Sequence, residues 1–402
     1  MNFLKKAAYR CYQAVMRLAI PLLPYREPQL IEGTRDIAPL LKSGNIGRVL
    51  LVAGKTVRVR GLTDELEAAL REYKIEYAVY DGTVPDPTTD NVEEAVALYL
   101  ECGCEAIIAV GGGSAMDCAK AVGARIARPD KPLSGMRGLL KIRKKIPLFI
   151  AVPTTAGTGS EATVAAVITD GVTHQKYAIS DFSLIPHYAV LDPRLTVCMP
   201  RHLTAATGMD ALTHAIEAYV GRARTSDTGA AATEAVRLIF ENLEPAYRDG
   251  ENLTARKNML YASYLAGTAF TRSYVGYVHA VAHTIGARYG ISHGLANAVL
   301  LPKVLRAYGG AVAKPLASLA FATGIADASH DAASAAELLI SHIENMCAVM
   351  ELPASFDCIR DEDIPELARL ADKEANPLYP VPVLWNSGEL EKIYHLAKGE
   401  KQ

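Results

Sequence analysis

Ala106-Ile107-Ile108-Ala109-Val110-Gly111-Gly112-Gly113-Ser114-Ala115-Met116-Asp117-Cys118-Ala119-Lys120 joins an uninterrupted apolar run to three glycines and then to a helix-compatible segment. The apolar run reads as a buried strand. Glycines between a strand and a helix let the backbone approach a ligand closely and aim free amide N–H groups at an anion. Ser114 is placed to cap the helix or to bond a phosphate oxygen. Asp117 falls in the first helical turn, where the macrodipole explains it as well as a cofactor role does. The turn is not the Gly-x-Gly-x-x-Gly fingerprint, and the acidic residue about twenty positions further on is absent. Lys120 reads as a solvated helix residue.

The same alternation extends to both sides. Arg48–Ala53, Glu76–Tyr80, Pro147–Val152 and Tyr188–Leu191 are further strands, and helical periodicity begins at Asp64 and at Asn91. Strands alternating with helices specify a mostly parallel, doubly wound α/β sheet. Beyond Asp192-Pro193 the pattern turns helical, over 203–220, 228–243, 254–271 and 334–350. The expected organisation is an N-terminal extension over residues 1–27, a Rossmann-like dinucleotide-binding domain over 28–194, and an all-α metal-binding domain over 195–402.

A chain of 402 residues is long for one core, which agrees with two domains. Half the residues are apolar and the formal net charge is −2, so nothing calls for a nucleic-acid partner. Seven cysteines at irregular spacing, with no CxxC pair, fit reduced thiols in the cytoplasm. In the extension, Lys5, Lys6, Arg10 and Arg17 occur before any acidic residue. Phe3, Leu4, Ala7, Ala8, Cys11, Val15, Leu18 and Ala19 share one side of a helix. This reads as a docked terminal helix in preference to an interfacial membrane contact.

Two other regions carry chemistry. Pro153-Thr154-Thr155-Ala156-Gly157-Thr158-Gly159-Ser160-Glu161 places hydroxyls and glycines at a strand's carboxyl end, where an open sheet binds its ligand. Asp210 and His214 are four apart on a helix, and so are His279 and His283, with His293 after a turn at Tyr289-Gly290-Ile291-Ser292. One carboxylate and three imidazoles, Asp210, His214, His279 and His293, suit Fe(II) or Zn(II). His174, His187, His202, His330, His342 and His395 read as ordinary core or surface residues. Tyr274 and Tyr277 fit pocket lining and core packing equally.

The blocks GGGSxxDxAK (111–120), PTTAGTGSE (153–161), GMDALTHAIEAY (208–219) and GYVHAVAHTIGARYGISHGLANAVLLP (276–302) resemble the iron-containing, or group III, alcohol dehydrogenase family. The resemblance runs from about residue 28 to Leu396. It implies a Rossmann-like domain, a helical domain and a catalytic cleft between them. It also implies hydride transfer between a nicotinamide dinucleotide and an alcohol or aldehyde, in a homodimer.

By position, Asp210, His214, His279 and His293 match the family's metal ligands, and His283 matches the histidine near the nicotinamide, a proton relay. Gly111, Gly112, Gly113 and Ser114 match the pyrophosphate turn. Thr154, Thr155, Thr158 and Lys176 match further cofactor contacts, and Asp86 occupies a position often filled by asparagine. Two departures stand out. Gly54 takes the place where many NAD-preferring members carry an aspartate, and Lys55, Arg58 or Arg60 offers positive charge nearby, so NADP(H) is favoured over NAD(H). Ala165 replaces an asparagine near the cofactor. Fe2+ is the expected metal, with Zn2+ the alternative. The second functional reading is a glycerol-dehydrogenase-like or dehydroquinate-synthase-like enzyme using NAD and a metal, and the third is a non-catalytic metal- or nucleotide-binding protein.

Overall fold

The computed structural model describes residues 1–20, 24–173 and 175–400, so His174 lies outside the described residues. Two compact units are formed, one by Pro24–Cys198 and the other by Met1–Leu23 with Met199–Gln402.

Among the described residues of the first unit, nine strands run in chain order: β1 Gln29–Ile31, β2 Arg48–Ala53, β3 Glu76–Tyr80, β4 Ala106–Gly111, β5 Gly138–Leu139, β6 Leu148–Pro153, β7 Ala165–Thr169, β8 Lys176–Ser180 and β9 Tyr188–Val190. Six of them make a sheet in the order β1-β9-β6-β4-β2-β3, and every pairing is parallel. Helices lie in the links from β1 to β2, β2 to β3, β3 to β4 and β4 to β6, whereas β6 reaches β9 through the β7–β8 pair; each is the crossover that parallel pairing needs.

Numbering helices along the whole chain, α1 is Phe3–Ala19, and this unit holds α2 Ile37–Ser43, α3 Lys55–Val59, α4 Asp64–Glu72, α5 Thr89–Glu101 and α6 Gly113–Ala127. Alternate residues of the central strands feed two cores. Leu50, Ile107 and Phe149 pack with α5 and α6 residues, whereas Leu51, Ile108 and Ile150 pack with α2 and α4 residues. Burial on both faces explains why these strands read as continuous apolar runs. Helix α5 starts two residues before Asn91. Thr88 is its cap, and Asn91 closes a capping box with it.

β5, β7 and β8 form a second, three-stranded sheet in which β7 and β8 are antiparallel. β7 and β8 are short, turn around Asp170-Gly171, and alternate buried with accessible residues, so neither forms a long apolar run.

Lys120 corrects its sequence reading. It is fully buried, and its ammonium donates to Ser160 Oγ (3.0 Å), Thr163 Oγ1 (2.8 Å), Thr163 O (3.0 Å) and Ala165 O (2.9 Å). Burial lowers it to about 8 against the pull of Asp117 and Glu161. The ammonium stitches α6 to the 160–165 segment. Asp117 serves the same junction, accepting from Ser160 Oγ (3.0 Å) and from the Val167 amide (3.2 Å). Glu161 is also buried, and neither carboxylate oxygen meets a hydrogen-bond donor from another residue among the described residues.

The second unit contains α1 and α7 Arg201–Val220, α8 Ser226–Arg248, α9 Leu253–Ser273, α10 Tyr277–Tyr289, α11 His293–Tyr308, α12 Gly310–Ala322, α13 Ala332–Val349, α14 Ile364–Ala375 and α15 Ser387–Lys398. Helix α7 is the hub. It packs on α8, α9 and α11, and nearly every residue from Thr204 to Val220 is buried. A helix enclosed on all sides needs no polar stripe, so its small and apolar residues surround it. Helix α1 belongs to this unit instead of standing apart as an extension, because Arg10 and Gln13 bond the backbone of residues 377–382. No described helix is long and apolar enough to cross a membrane.

Burial lifts Glu161 to about 7, so folding takes up a proton between its ordinary carboxylate range and that value. Stability contributed this way is present at low pH, is lost as pH rises through about 7, and is flat above. Thermal melts of wild type and Glu161→Gln across that window are expected to diverge. The wild type should lose on the order of 1–3 kcal/mol that the variant keeps; parallel curves would refute the assignment.

Candidate metal centre and dinucleotide loops

Three helices of the second unit bring the four metal-ligand candidates together. Asp210 and His214 leave the same face of α7 one turn apart, His279 lies in the first turn of α10, and His293 opens α11. Gly290, in the left-handed conformation, ends α10, so the chain turns back within three residues to place His293. One ligand atom from each of Asp210, His214, His279 and His293 lies within 4.8 Å of the others. His293 Nε2 is 3.4 Å from Asp210 Oδ1, and the His214 and His279 rings stack at 4.4 Å between centroids.

The electrostatics of this cluster ask for a cation. Burial, reinforced by the charges of neighbouring imidazoles, holds His279 well below its ordinary pKa. Burial lowers His293 to about 4 although the Asp210 carboxylate opposes it. Neutral imidazoles present lone pairs, and those of His279 and His293 face the Asp210 carboxylate. One amide, Asn297 Nδ2, stands among these acceptors, donating to Asp210 Oδ1 (2.7 Å) and lying 3.3 Å from His279 Nε2 and 3.2 Å from His293 Nε2. A donor set of this kind suits a divalent ion with N and O ligands.

Residues outside the sequence-derived set orient the ligands. Glu217, one turn beyond His214 on α7, accepts from His279 Nδ1 at 2.6 Å and from the amides of Gly276 and Val278, each at 2.8 Å. This fixes the imidazole so that Nε2 faces the cluster. Burial lifts Glu217 to about 7, with its three donors pulling the other way. The signal was legible, since Asp210, His214 and Glu217 repeat at i, i+4 and i+7. Asn297 had the same signal, four residues after His293.

His283 stands beside the cluster. It is half-exposed, its ring stacks on His293 at 5.1 Å, and its Nδ1 meets Glu374 Oε1 at 2.7 Å. Tyr379 donates to the same Glu374 oxygen at 2.8 Å. Burial would raise Glu374, but the charge and hydrogen bond of His283, with the Tyr379 hydroxyl, leave it below its ordinary value. Asp210, His214 and His279 are buried whereas His293 and His283 are accessible, so the cluster opens on that side.

Tyr277 is core: fully buried, stacked on Trp385 and bonded to Asn376 and the Trp385 backbone. A second cluster, Asp361, His395 and Glu400, is mostly exposed, and Lys398 already pairs with Asp361.

In the sheet unit, the order of strands reverses between β2 and β4, with Ala53 paired to Val110. Gly54 and Gly111 therefore sit side by side at the switch point, where open α/β sheets bind ligands. The two polar blocks meet there. A side chain on Gly112 would lie 3.2 Å from Thr155 Oγ1, and one on Gly113 3.0 Å from Thr158. The Thr154 amide donates to Gly111 O at 2.9 Å. Ser114 does not cap α6; its hydroxyl accepts from the Asp86 amide at 3.4 Å. Asp86 pairs with Lys176 at 2.6 Å. Asp117, by contrast, spends both carboxylate oxygens on protein donors. Ala165 opens β7 and gives its carbonyl to Lys120. Of the three cations near Gly54, Arg58 is engaged by Glu67 and Arg60 by the Cys198 carbonyl, whereas Lys55 is exposed and unpaired among the described residues.

The chain is similar to known proteins along most of its length. The profile described as iron-containing alcohol dehydrogenase matches residues 31–193, and the C-terminal profile of the Fe-containing alcohol dehydrogenase family matches residues 204–397. A 1,3-propanediol dehydrogenase of Citrobacter freundii is 39% identical over 354 residues, covering 87% of this chain and 91% of that protein. An NAD-dependent methanol dehydrogenase of Bacillus methanolicus is 36% identical over 339 residues, 84% of this chain and 89% of its own length. Among solved structures, a 1,3-propanediol oxidoreductase superposes with a TM-score of 0.89 at 37% identity, covering 93% of this chain and 99% of that one. An alcohol dehydrogenase from Oenococcus oeni gives 0.88 at 33% identity, with 93% and 100% covered.

Gly294 tests how tightly the cluster is assembled. A methyl there would lie 2.3 Å from the Ala206 carbonyl oxygen of α7. Gly294→Ala is expected to push α11 off α7, cost about 1–3 kcal/mol in urea denaturation, and weaken metal retention because His293 moves with the helix. Unchanged stability and metal content would show that this contact is slack.

Proposed function

The chain belongs to the iron-containing alcohol dehydrogenase family, and from that membership and the geometry of its two units we propose the assignment of its working residues. It is a metal-dependent, NAD(P)-linked alcohol dehydrogenase that also reduces aldehydes. Asp210, His214, His279 and His293 hold the divalent ion, Fe(II) in preference to Zn(II). The substrate is a short primary alcohol or diol, a reading supported by relatives named for 1,3-propanediol and methanol. The enzyme works in the cytoplasm, a reading supported by seven cysteines with no disulfide among them.

The observation that carries the reading is the convergence of four ligand atoms within 4.8 Å, three of them on buried residues. A bound divalent ion supplies electrophilic polarisation of the substrate oxygen, and the dinucleotide supplies the hydride donor or acceptor. The chain's own residues do the rest. Glu217 locks the His279 tautomer, and Asn297 braces Asp210. Glu374 holds His283 through Nδ1, which assigns proton exchange to Nε2 on the accessible side of the cluster. Gly111 to Ser114, Thr154, Thr155 and Thr158 form the phosphate cradle, and Asp86 with Lys176 borders it. The preference for NADP(H) rests on Gly54, which puts no carboxylate at that position to repel a 2′-phosphate, and on Lys55, unpaired among the described residues.

Two measurements test these assignments. His279→Ala is expected to lose both bound metal, by elemental analysis, and oxidation of NAD(P)H with short aldehydes. Retained metal would place the ligands elsewhere. Gly54→Asp is expected to weaken NADPH relative to NADH by about tenfold, the order of one lost charge-assisted contact. A side chain at residue 54 would come within 3.3 Å of the Thr83 carbonyl oxygen, so Gly54→Ala is the steric control. An equal change in both Gly54 variants would show that charge at this position does not read the 2′-group.

A further inference from the structure

Helix α1 is amphipathic, and it docks with its polar side. Arg10 donates to the carbonyls of Val381 (2.7 Å) and Pro382 (2.8 Å), and Gln13 Nε2 to those of Tyr379 (2.6 Å) and Pro377 (3.1 Å). The opposite side points to water. Leu4, Ala8, Cys11, Val15 and Leu18 recur at alternating spacings of four and three, and Phe3 flanks them. Phe3 is 82% exposed, Leu4 76%, Leu18 75% and Val15 61%. A continuous apolar stripe left in water marks an interaction surface, where single exposed apolar residues would not. The helix precedes the residues matched to the family profiles, so the shared dehydrogenase machinery does not account for it.

Charge identifies what covers the stripe. The helix carries Lys5, Lys6, Arg10 and Arg17 and no acidic residue. Arg17 also lines a cavity of about 330 Å³ with Arg222, Arg224 and Lys314, and no acidic side chain lines it. Within this group, Arg224 Nη1 is buried with no hydrogen-bond acceptor among the described residues. A second copy of the helix would bring its own Lys5, Lys6 and Arg17 against these, whereas an anionic surface neutralises both sets at once. The helix is not of a kind that spans a bilayer. A basic, amphipathic helix of this type lies in the interface plane.

We propose that α1 attaches this enzyme to an anionic membrane surface, its Leu4–Leu18 stripe in the headgroup region and the Arg17–Arg222–Arg224–Lys314 cavity holding a lipid phosphate. The docked face connects this surface to the site. Tyr379, whose carbonyl accepts from Gln13, donates its hydroxyl to Glu374, the partner of His283.

The test is co-sedimentation of the full-length enzyme with phosphatidylcholine vesicles, with and without phosphatidylglycerol, at low and raised salt. Wild type is expected to pellet with the anionic vesicles only, and less as salt rises. Val15→Glu with Leu18→Glu, two exposed residues outside the catalytic machinery, should cut partitioning by about tenfold or more and leave alcohol oxidation in solution unchanged. Arg17→Gln and Lys314→Gln should each weaken it by about fivefold. Failure of wild type to pellet with anionic vesicles would overturn the proposal, as would equal pelleting with neutral ones. A soluble dimer dissolved by Val15→Glu, without vesicle binding, would assign the stripe to a second copy and overturn it too.

Discussion

The buried carboxylate of Glu217 is the constraint on which the candidate metal cluster rests. It takes three N–H donors at once: His279 Nδ1 and the amides of Gly276 and Val278 at the start of α10. An isolated carboxylate in this position would be very costly to bury, and these bonds compensate it. In doing so they tie the first turn of α10 to α7, which already carries Asp210 and His214. A side chain on Gly276 would come within 2.5 Å of the Glu217 carboxylate, so glycine is required for the approach. Ligand geometry, imidazole tautomer and helix packing are thus consequences of one set of hydrogen bonds.

The sheet unit solves a related problem with the opposite charge. Lys120 is buried against Ser160, Thr163 and Ala165 and ties α6 to the segment that follows the threonine loop. Both glycine-lined loops are thereby held in register at the carboxyl ends of β4 and β6. A ligand cradle made of mobile loops loses affinity to ordering cost, and a buried, fully bonded cation beneath it removes much of that cost. Asp117 belongs to this scaffold. Its place in the first turn of α6 made a cofactor contact plausible, yet Ser160 and Val167 occupy its oxygens.

Much of this was legible in the chain itself. The strands at 48–53 and 106–111 declare themselves because a parallel sheet covered on both faces buries nearly every side chain, producing apolar runs that no amphipathic helix would show. The four ligand candidates were visible because helical spacing of four puts two side chains on one face. Glu217 and Asn297 obeyed the same periodicity, but a single buried glutamate or asparagine has many structural explanations. Only the contact with His279 or Asp210 chooses among them. The short strands β7 and β8 were less legible because their burial alternates over only five residues, with no continuous apolar run like those of the central strands.

Residue types, spacing and the order of apolar runs by themselves determined the two-part α/β and α plan, the candidate ligand set and the glycine-rich loops, because those properties depend on neighbours a few residues away. The tertiary structure decided which way things face. It buried Lys120, turned Asp117 inward, engaged Arg58 and Arg60 while leaving Lys55 unpaired among the described residues, and docked α1 by Arg10 and Gln13 so that its leucines point outward. Helical periodicity states that two faces differ. Which of them meets the protein is set by the partners that long-range folding supplies, here the carbonyls of residues 377–382.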